Sequence, residues 1–209
     1  MSVSADSPTI ARDRLARLGR WCTAAALVGL LQGLALLVWP HQVPEDRFSF
    51  PLTGVGFVIA QATFFLQHLP LALAVLALAG AVTATPARYG LIAASVGLGL
   101  LAVVELAAMS GATTEEDSAL ASAIYSAYGP PVLLAGAGLT VAGITVVRRH
   151  ELDARVGWLL VALGGWVFVG LTPALSSGSF VGGRVAIIVW MLLFAGLGQA
   201  MSNLARARG

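Results

Sequence analysis

Long apolar runs, broken by short polar or proline-bearing segments, set the pattern of this chain. The run over residues 54–84 stands out because it carries Gln61, Gln67 and His68 near its middle. An α-helix rises ~1.5 Å per residue and the hydrocarbon layer of a bilayer is ~30 Å thick, so a run of this length reads as a membrane crossing. Five more runs flank it. The pattern predicts spans over residues 21–39, 54–82, 89–110, 132–147, 156–175 and 184–204. The expected fold is therefore all-α, a polytopic bundle of six transmembrane helices with short loops. Short loops favour antiparallel packing of helices that follow one another in the chain.

The breaks between runs carry their own signals. Pro40 ends the first run, and residues 40–51 hold Glu45, Asp46, Arg47 and three prolines, which predicts an irregular, solvated loop. Pro70 falls inside the second span as a kink. Pro86 marks a tight turn over residues 83–88. Residues 111–129 are the most polar stretch. There Thr114 is expected to cap a short helix starting at Glu115-Glu116-Asp117, because acidic side chains suit a helix N-terminus. Leu120, Ile124 and Tyr128 would continue one face of that piece along the membrane interface. Pro130-Pro131 would separate it from the fourth span, which is short unless Tyr128 and the prolines join it. Pro173 interrupts the fifth, and residues 176–183 form a small flexible loop.

At the N-terminus, residues 1–7 are expected to be disordered, with Ser7 capping a helix that has Pro8 at its first position. Ala11, Leu15, Leu18 and Cys22 then share a helical face, away from most of Arg12, Arg14, Arg17 and Arg20. This piece either lies on the inner leaflet as an amphipathic helix or simply extends the first span. The arginines ahead of an apolar run resemble a signal peptide. Yet the run is long enough to span, and it ends in Trp39-Pro40-His41 without a small-residue cleavage site, so a retained helix is expected. The organisation predicted is an N-terminal segment over 1–20, a membrane domain over 21–204 and a tail over 205–209.

Composition agrees with this. Of 209 residues, 58% are hydrophobic and 11% charged, with a mean hydropathy of +0.87. About a quarter of a globular chain is normally charged, so the deficit points to a lipid-facing surface. The net charge of +2 comes without a basic patch interleaved with aromatics, so nucleic acid is not an expected partner. All twelve basic residues are arginine, a bias expected of a GC-rich bacterial genome. If both termini are cytoplasmic, the inner segments hold Arg12, Arg14, Arg17, Arg20, Arg88, Arg148, Arg149, Arg155, Arg206 and Arg208. The outer ones hold only Arg47 and Arg184. That asymmetry predicts a multi-pass plasma-membrane protein with both ends inside. Its expected partners are the lipid bilayer and, open at this point, another membrane protein or a second copy of itself.

A few polar residues sit where lipid does not tolerate them, so each must face protein or water. Gln61 and His68 are seven residues apart and share a face of the second span. Glu105 lies near the outer end of the third and falls level with Gln61 if the two helices are antiparallel. Gln32 is near mid-depth in the first. Together Gln32, Gln61, His68 and Glu105 form a candidate intramembrane polar site. An ionised Glu105 would seek Arg184 or Arg47 as its charge partner, and otherwise is cheaper to bury as the neutral acid. One reading is a proton- or cation-linked track with Glu105 as carrier and His68 as second station. The other is interhelical glue, in which polar side chains satisfy one another and fix helix register.

Other chemistry is not expected. Haem held by two histidines needs a second buried one, and His41 and His150 fall in loops. Cys22 is the single cysteine, which leaves no disulfide and no cysteine metal cluster. Thus no cofactor, no metal and no catalytic residue is predicted. Gly29 with Gly33, Gly138 with Ala142, and Gly196 with Ala200 are small-residue pairs that permit close helix packing. The segment RRHELDARVGWLLVALGG, residues 148–165, is a basic turn leading into a Gly-Trp-started span. In this it resembles uncharacterised six-span membrane families of actinobacteria, which bring no established chemistry. Function is thus expected to be that of a non-enzymatic accessory or stabilising subunit, with a small proton-linked transporter using Gln61, His68 and Glu105 as the alternative.

Overall fold

The computed structural model describes the backbone of residues 8–207 and the side chains of residues 13–204 and 206. Residues 1–7, expected to be disordered and to end in the Ser7 cap, lie outside the described residues. The helices are α1 (Pro8–Val38), α2 (Gly54–Ala79), α3 (Thr85–Ala108), α4 (Ala119–Arg149), α5 (Ala154–Trp166), α6 (Thr172–Ser176) and α7 (Phe180–Ala207). A 3-10 turn over Met109–Gly111 extends α3. A π-turn over Val167–Leu171 joins α5 to α6, so these two form one crossing. Six helical segments are long and apolar enough to cross a membrane, as the apolar runs predict. Among the described residues there is no strand, only an isolated bridge between Arg47 and Glu115.

Each crossing packs on its neighbours in the chain, and α7 closes the circle against α1, its most extensive partner. Small residues make two of these interfaces possible. A Cβ placed on Gly19 of α1 would come 2.7 Å from the carbonyl oxygen of Gly198 on α7, and one on Gly198 would come 2.5 Å from that of Gly19. Gly90 of α3 and Gly138 of α4 oppose each other in the same way. Backbone contact this close forms only where both helices lack a side chain, and it supplies the van der Waals packing that drives association in lipid. The core between the helices is Leu, Ala and Val with Met191, Phe194 and Met201. Large apolar side chains such as Leu31, Ile59 and Val103 point outward, as a lipid-facing surface requires.

Several boundaries differ from expectation. Of the two alternatives for the N-terminal piece, the structure takes the extension of the first span, since α1 runs unbroken from Pro8. Leu15 and Cys22 pack into the core on its buried face. α3 begins at Thr85, with Pro86 inside its first turn instead of in a turn before it. The largest correction concerns residues 111–149. Thr114 caps nothing there; the cap is Ser118, whose side chain accepts the N–H of Ala121. From Ala119 the helix runs straight through Pro130 and Pro131 to Arg149. Two prolines remove two helical hydrogen bonds, which would normally end a helix. Here the weakened stretch packs tightly on α3, where Gly97 meets the backbone of Pro131 and Ala135. Pro173 likewise does not end its span. Ahead of it the chain widens into the π-turn, with the Thr172 N–H donated to the Val167 carbonyl.

At the end holding Arg47 and Arg184, the α1–α2 and α3–α4 loops clasp each other. Phe48 N–H donates to Thr114 at 3.1 Å and Glu116 N–H to Asp46 at 2.7 Å. Phe48 is thereby buried, edge-on to Phe57 and to Tyr125, over Ala108, Ala121 and Ile124.

Candidate functional site

The antiparallel register of α2 and α3 decides which polar residues meet. Ser95 of α3 donates its hydroxyl to the Ala72 carbonyl of α2 at 2.9 Å. Counting up α2 and down α3 from that bond puts Gln61 level with Glu105, as expected of neighbouring antiparallel helices. Both are buried, at 7% exposure each.

They meet through a third residue. Tyr128 of α4 donates its hydroxyl to Glu105 Oε2 at 2.7 Å, and Gln61 Nε2 donates to the Tyr128 oxygen at 3.5 Å, a longer and weaker bond. One hydroxyl thus ties α2, α3 and α4 together. The Tyr128 ring packs against both the main core and the outer Phe48 cluster.

Tyr128 was not anticipated as a site residue. Its ring falls on the same face as Ala121 and Ile124, and that pattern is visible in the sequence. The two prolines that follow, read as a helix end, placed the residue on the membrane surface instead of between helices.

Arg184 does not take the role of charge partner by direct contact. Among the described residues Glu105 forms no ion pair with it. The guanidinium instead lies over the Phe180 ring, 5.1 Å from its centroid. Arg47, the other possible partner, points its side chain at the Thr113 carbonyl, 3.4 Å away.

His68 is not drawn into the cluster. It sits two turns deeper on α2, buried at 5% exposure, and its Nδ1 is 2.7 Å from the Phe64 carbonyl of its own helix. The carbonyl can only accept, so Nδ1 carries the proton. Gln32 of α1 also stays apart. Its amide donates to the Ala60 carbonyl of α2 at 3.0 Å, tying α1 to α2 one residue from Gln61. Gln67 of α2 and Met191 of α7 both reach the notch left by Gly29 on α1, and the buried Gln67 Oε1 has no hydrogen-bond partner among the described residues.

Two cavities stand out among the described residues. One, about 390 Å³, opens between α1 and α7 at the arginine-rich end and is lined by Arg20, Thr23, Gln199, Ser202 and Arg206 with small apolar residues. The other, about 240 Å³, lies between the clasped loops at Val43, Arg47, Ser49 and Thr113. Neither is lined by Glu105, His68 or Gln61.

In comparisons with protein families, with curated proteins and with solved structures, the chain finds no match.

Proposed function

We propose that this chain is a non-enzymatic integral membrane protein of the bacterial plasma membrane, an accessory or stabilising subunit. Both ends are cytoplasmic, and its buried polar residues fix helix register. The observation that carries this reading is the Glu105–Tyr128–Gln61 cluster. Its three side chains come from three helices and bond to one another, and Tyr128 packs against the Phe48 cluster. A conducting site needs water at its carrier, and Glu105, Gln61 and His68 are all buried. His68, the second station of a proton track, bonds its own helix.

The competing transporter reading makes an opposite forecast, so one experiment separates them. The purified full-length protein is reconstituted into liposomes loaded with a pH-sensitive dye, and an inward proton gradient is applied. Dye response equal to that of protein-free liposomes, unchanged by Glu105→Gln, is the expected result. A proton flux that Glu105→Gln abolishes would establish transport and refute the structural role.

A further inference from the structure

The cavity between α1 and α7 has a chemistry that register-fixing does not explain. We propose that it is a binding site for the phosphate of an anionic phospholipid, held at the arginine-rich end of the bundle. This inference does not depend on the role of Glu105.

The geometry follows from helix direction. α1 and α7 are antiparallel, with Thr23 Oγ1 3.4 Å from the Ala195 carbonyl and Ser202 Oγ 3.4 Å from that of Ala16. Counting from these contacts, Arg20 lies about two turns further into the bundle than Arg206. Side chains on a helix tilt toward its N-terminus. Arg20 therefore leans back toward the arginine-rich end, while Arg206 leans inward. The Arg206 bonds show the inward lean: Nε to Ser202 O at 3.4 Å and Nη2 to Asn203 Oδ1 at 2.8 Å, both in the turn before it. The two cations converge on one cavity from above and below.

The donor set suits an anion. Both bonding partners of Arg206 are neutral, and among the described residues no carboxylate lines the cavity. Thr23 and Ser202 direct their hydroxyl protons to main-chain carbonyls, and one Gln199 amide N–H is turned toward Asn203 Oδ1 at 3.5 Å, so the donors left for a ligand are Arg20, the remaining N–H groups of Arg206 and the second Gln199 amide N–H. Guanidinium forks match phosphate oxygens in pairs, and basic pockets between membrane helices select anionic head groups. At about 390 Å³ the space is that of a small-ligand site. The source is a lipid rather than free phosphate because the cavity wall continues into Ala24 and Leu27, both exposed on the outer face of α1. An acyl chain would lie there. Trp21, also exposed on that stretch, is a residue type that favours the head-group level.

The test uses full-length protein in mild detergent and native mass spectrometry. Phosphatidylglycerol should remain bound under conditions that strip phosphatidylcholine. Retention should fall about 10-fold or more in Arg20→Gln/Arg206→Gln, since each charge-assisted bond lost is worth roughly that factor. Arg148→Gln/Arg149→Gln removes the same charge from the α4–α5 turn and should bind like the parent. Ala24→Trp fills the cavity without changing charge and should lose the lipid too, which covers the case in which the double variant does not fold. Inorganic phosphate alone should neither bind nor displace phosphatidylglycerol. Equal loss in both arginine pairs would reduce the effect to bulk electrostatics and overturn the site. So would undiminished binding in folded Ala24→Trp. Displacement by inorganic phosphate would overturn the lipid as its source.

Discussion

A single hydroxyl carries much of the polar connectivity in this bundle. Tyr128 both donates to Glu105 and accepts from Gln61, so Tyr128→Phe breaks two interhelical contacts and leaves a buried carboxyl without its donor. The expected loss is ~1–3 kcal/mol, the usual penalty for an orphaned buried polar group. Glu105→Gln should cost less, because the amide oxygen still accepts the Tyr128 proton. Denaturant unfolding in detergent measures both, and a Tyr128→Phe protein as stable as the parent would show that the cluster fixes nothing. Glu151 does comparable work outside the membrane. Ala84, at the start of α3, offers no side-chain cap. Glu151 supplies one from the far turn, accepting from Thr83 Oγ1 at 2.7 Å, Ala84 N–H at 2.6 Å and Thr83 N–H at 3.2 Å. The Thr83 hydroxyl, and then the backbone N–H groups, hold the carboxyl below the usual glutamate range. A depressed folded pKa means that the ionised form stabilises the fold. That contribution is complete above the unfolded value of about 4.3 and disappears as pH falls through the lower folded value. Glu151→Gln should therefore flatten the acid limb of a melting-temperature profile and leave the slope near neutral pH unchanged. An acid limb identical to the parent's would mean that the cap is not formed.

At the scale of the helix, glycines divide into those that let backbones touch and those that do not. A Cβ on Gly138 would lie 2.8 Å from the Ala94 nitrogen of α3, and only backbone movement relieves that. A Cβ on Gly99 meets nothing within 4 Å. Gly138→Ala is expected to destabilise by ~1–3 kcal/mol through overpacking, and Gly99→Ala to stabilise by up to ~1 kcal/mol through helix propensity. Opposite signs in thermal melts check the pairing of α3 with α4. The same comparison explains what was legible in the sequence. Six crossings could be read directly, because hydrocarbon sets a minimum length and excludes charge whatever the helices do to each other. Pro130-Pro131 was misread because proline rules describe a helix that must support itself. α4 is held instead by Gly97 and Gly90 of its neighbour. That one misreading also hid Tyr128, since a residue assigned to the interface cannot be assigned to a buried carboxyl. Gln61 and Glu105 were recoverable from antiparallel spacing alone. The turn of His68 onto its own helix was not, because it depends on a rotamer.

For the whole molecule, the circular order of crossings makes α1 and α7 neighbours and places the chain's first and last described residues at one end of the bundle. The arginines among the described residues divide with the same geometry, nine at that end or in its loops against Arg47 and Arg184 at the other. An arginine held back during insertion fixes the side on which its loop stays, and each loop here gives the same answer. The prediction is that the end bearing Arg148 and Arg149 faces the cytoplasm. Because Cys22 is the single cysteine and is buried, introduced thiols can be read against a quiet background. Ala119 and Ala154 are exposed and begin α4 and α5, on opposite faces of the membrane if α4 crosses it. Neither substitution alters a charge. In intact cells a membrane-impermeant maleimide should label Ala119→Cys and leave Ala154→Cys untouched until the membrane is permeabilised. The reverse pattern would invert the protein and refute the arginine argument while leaving the bundle intact. Labelling of both before permeabilisation would mean that α4, with its two internal prolines, does not cross at all.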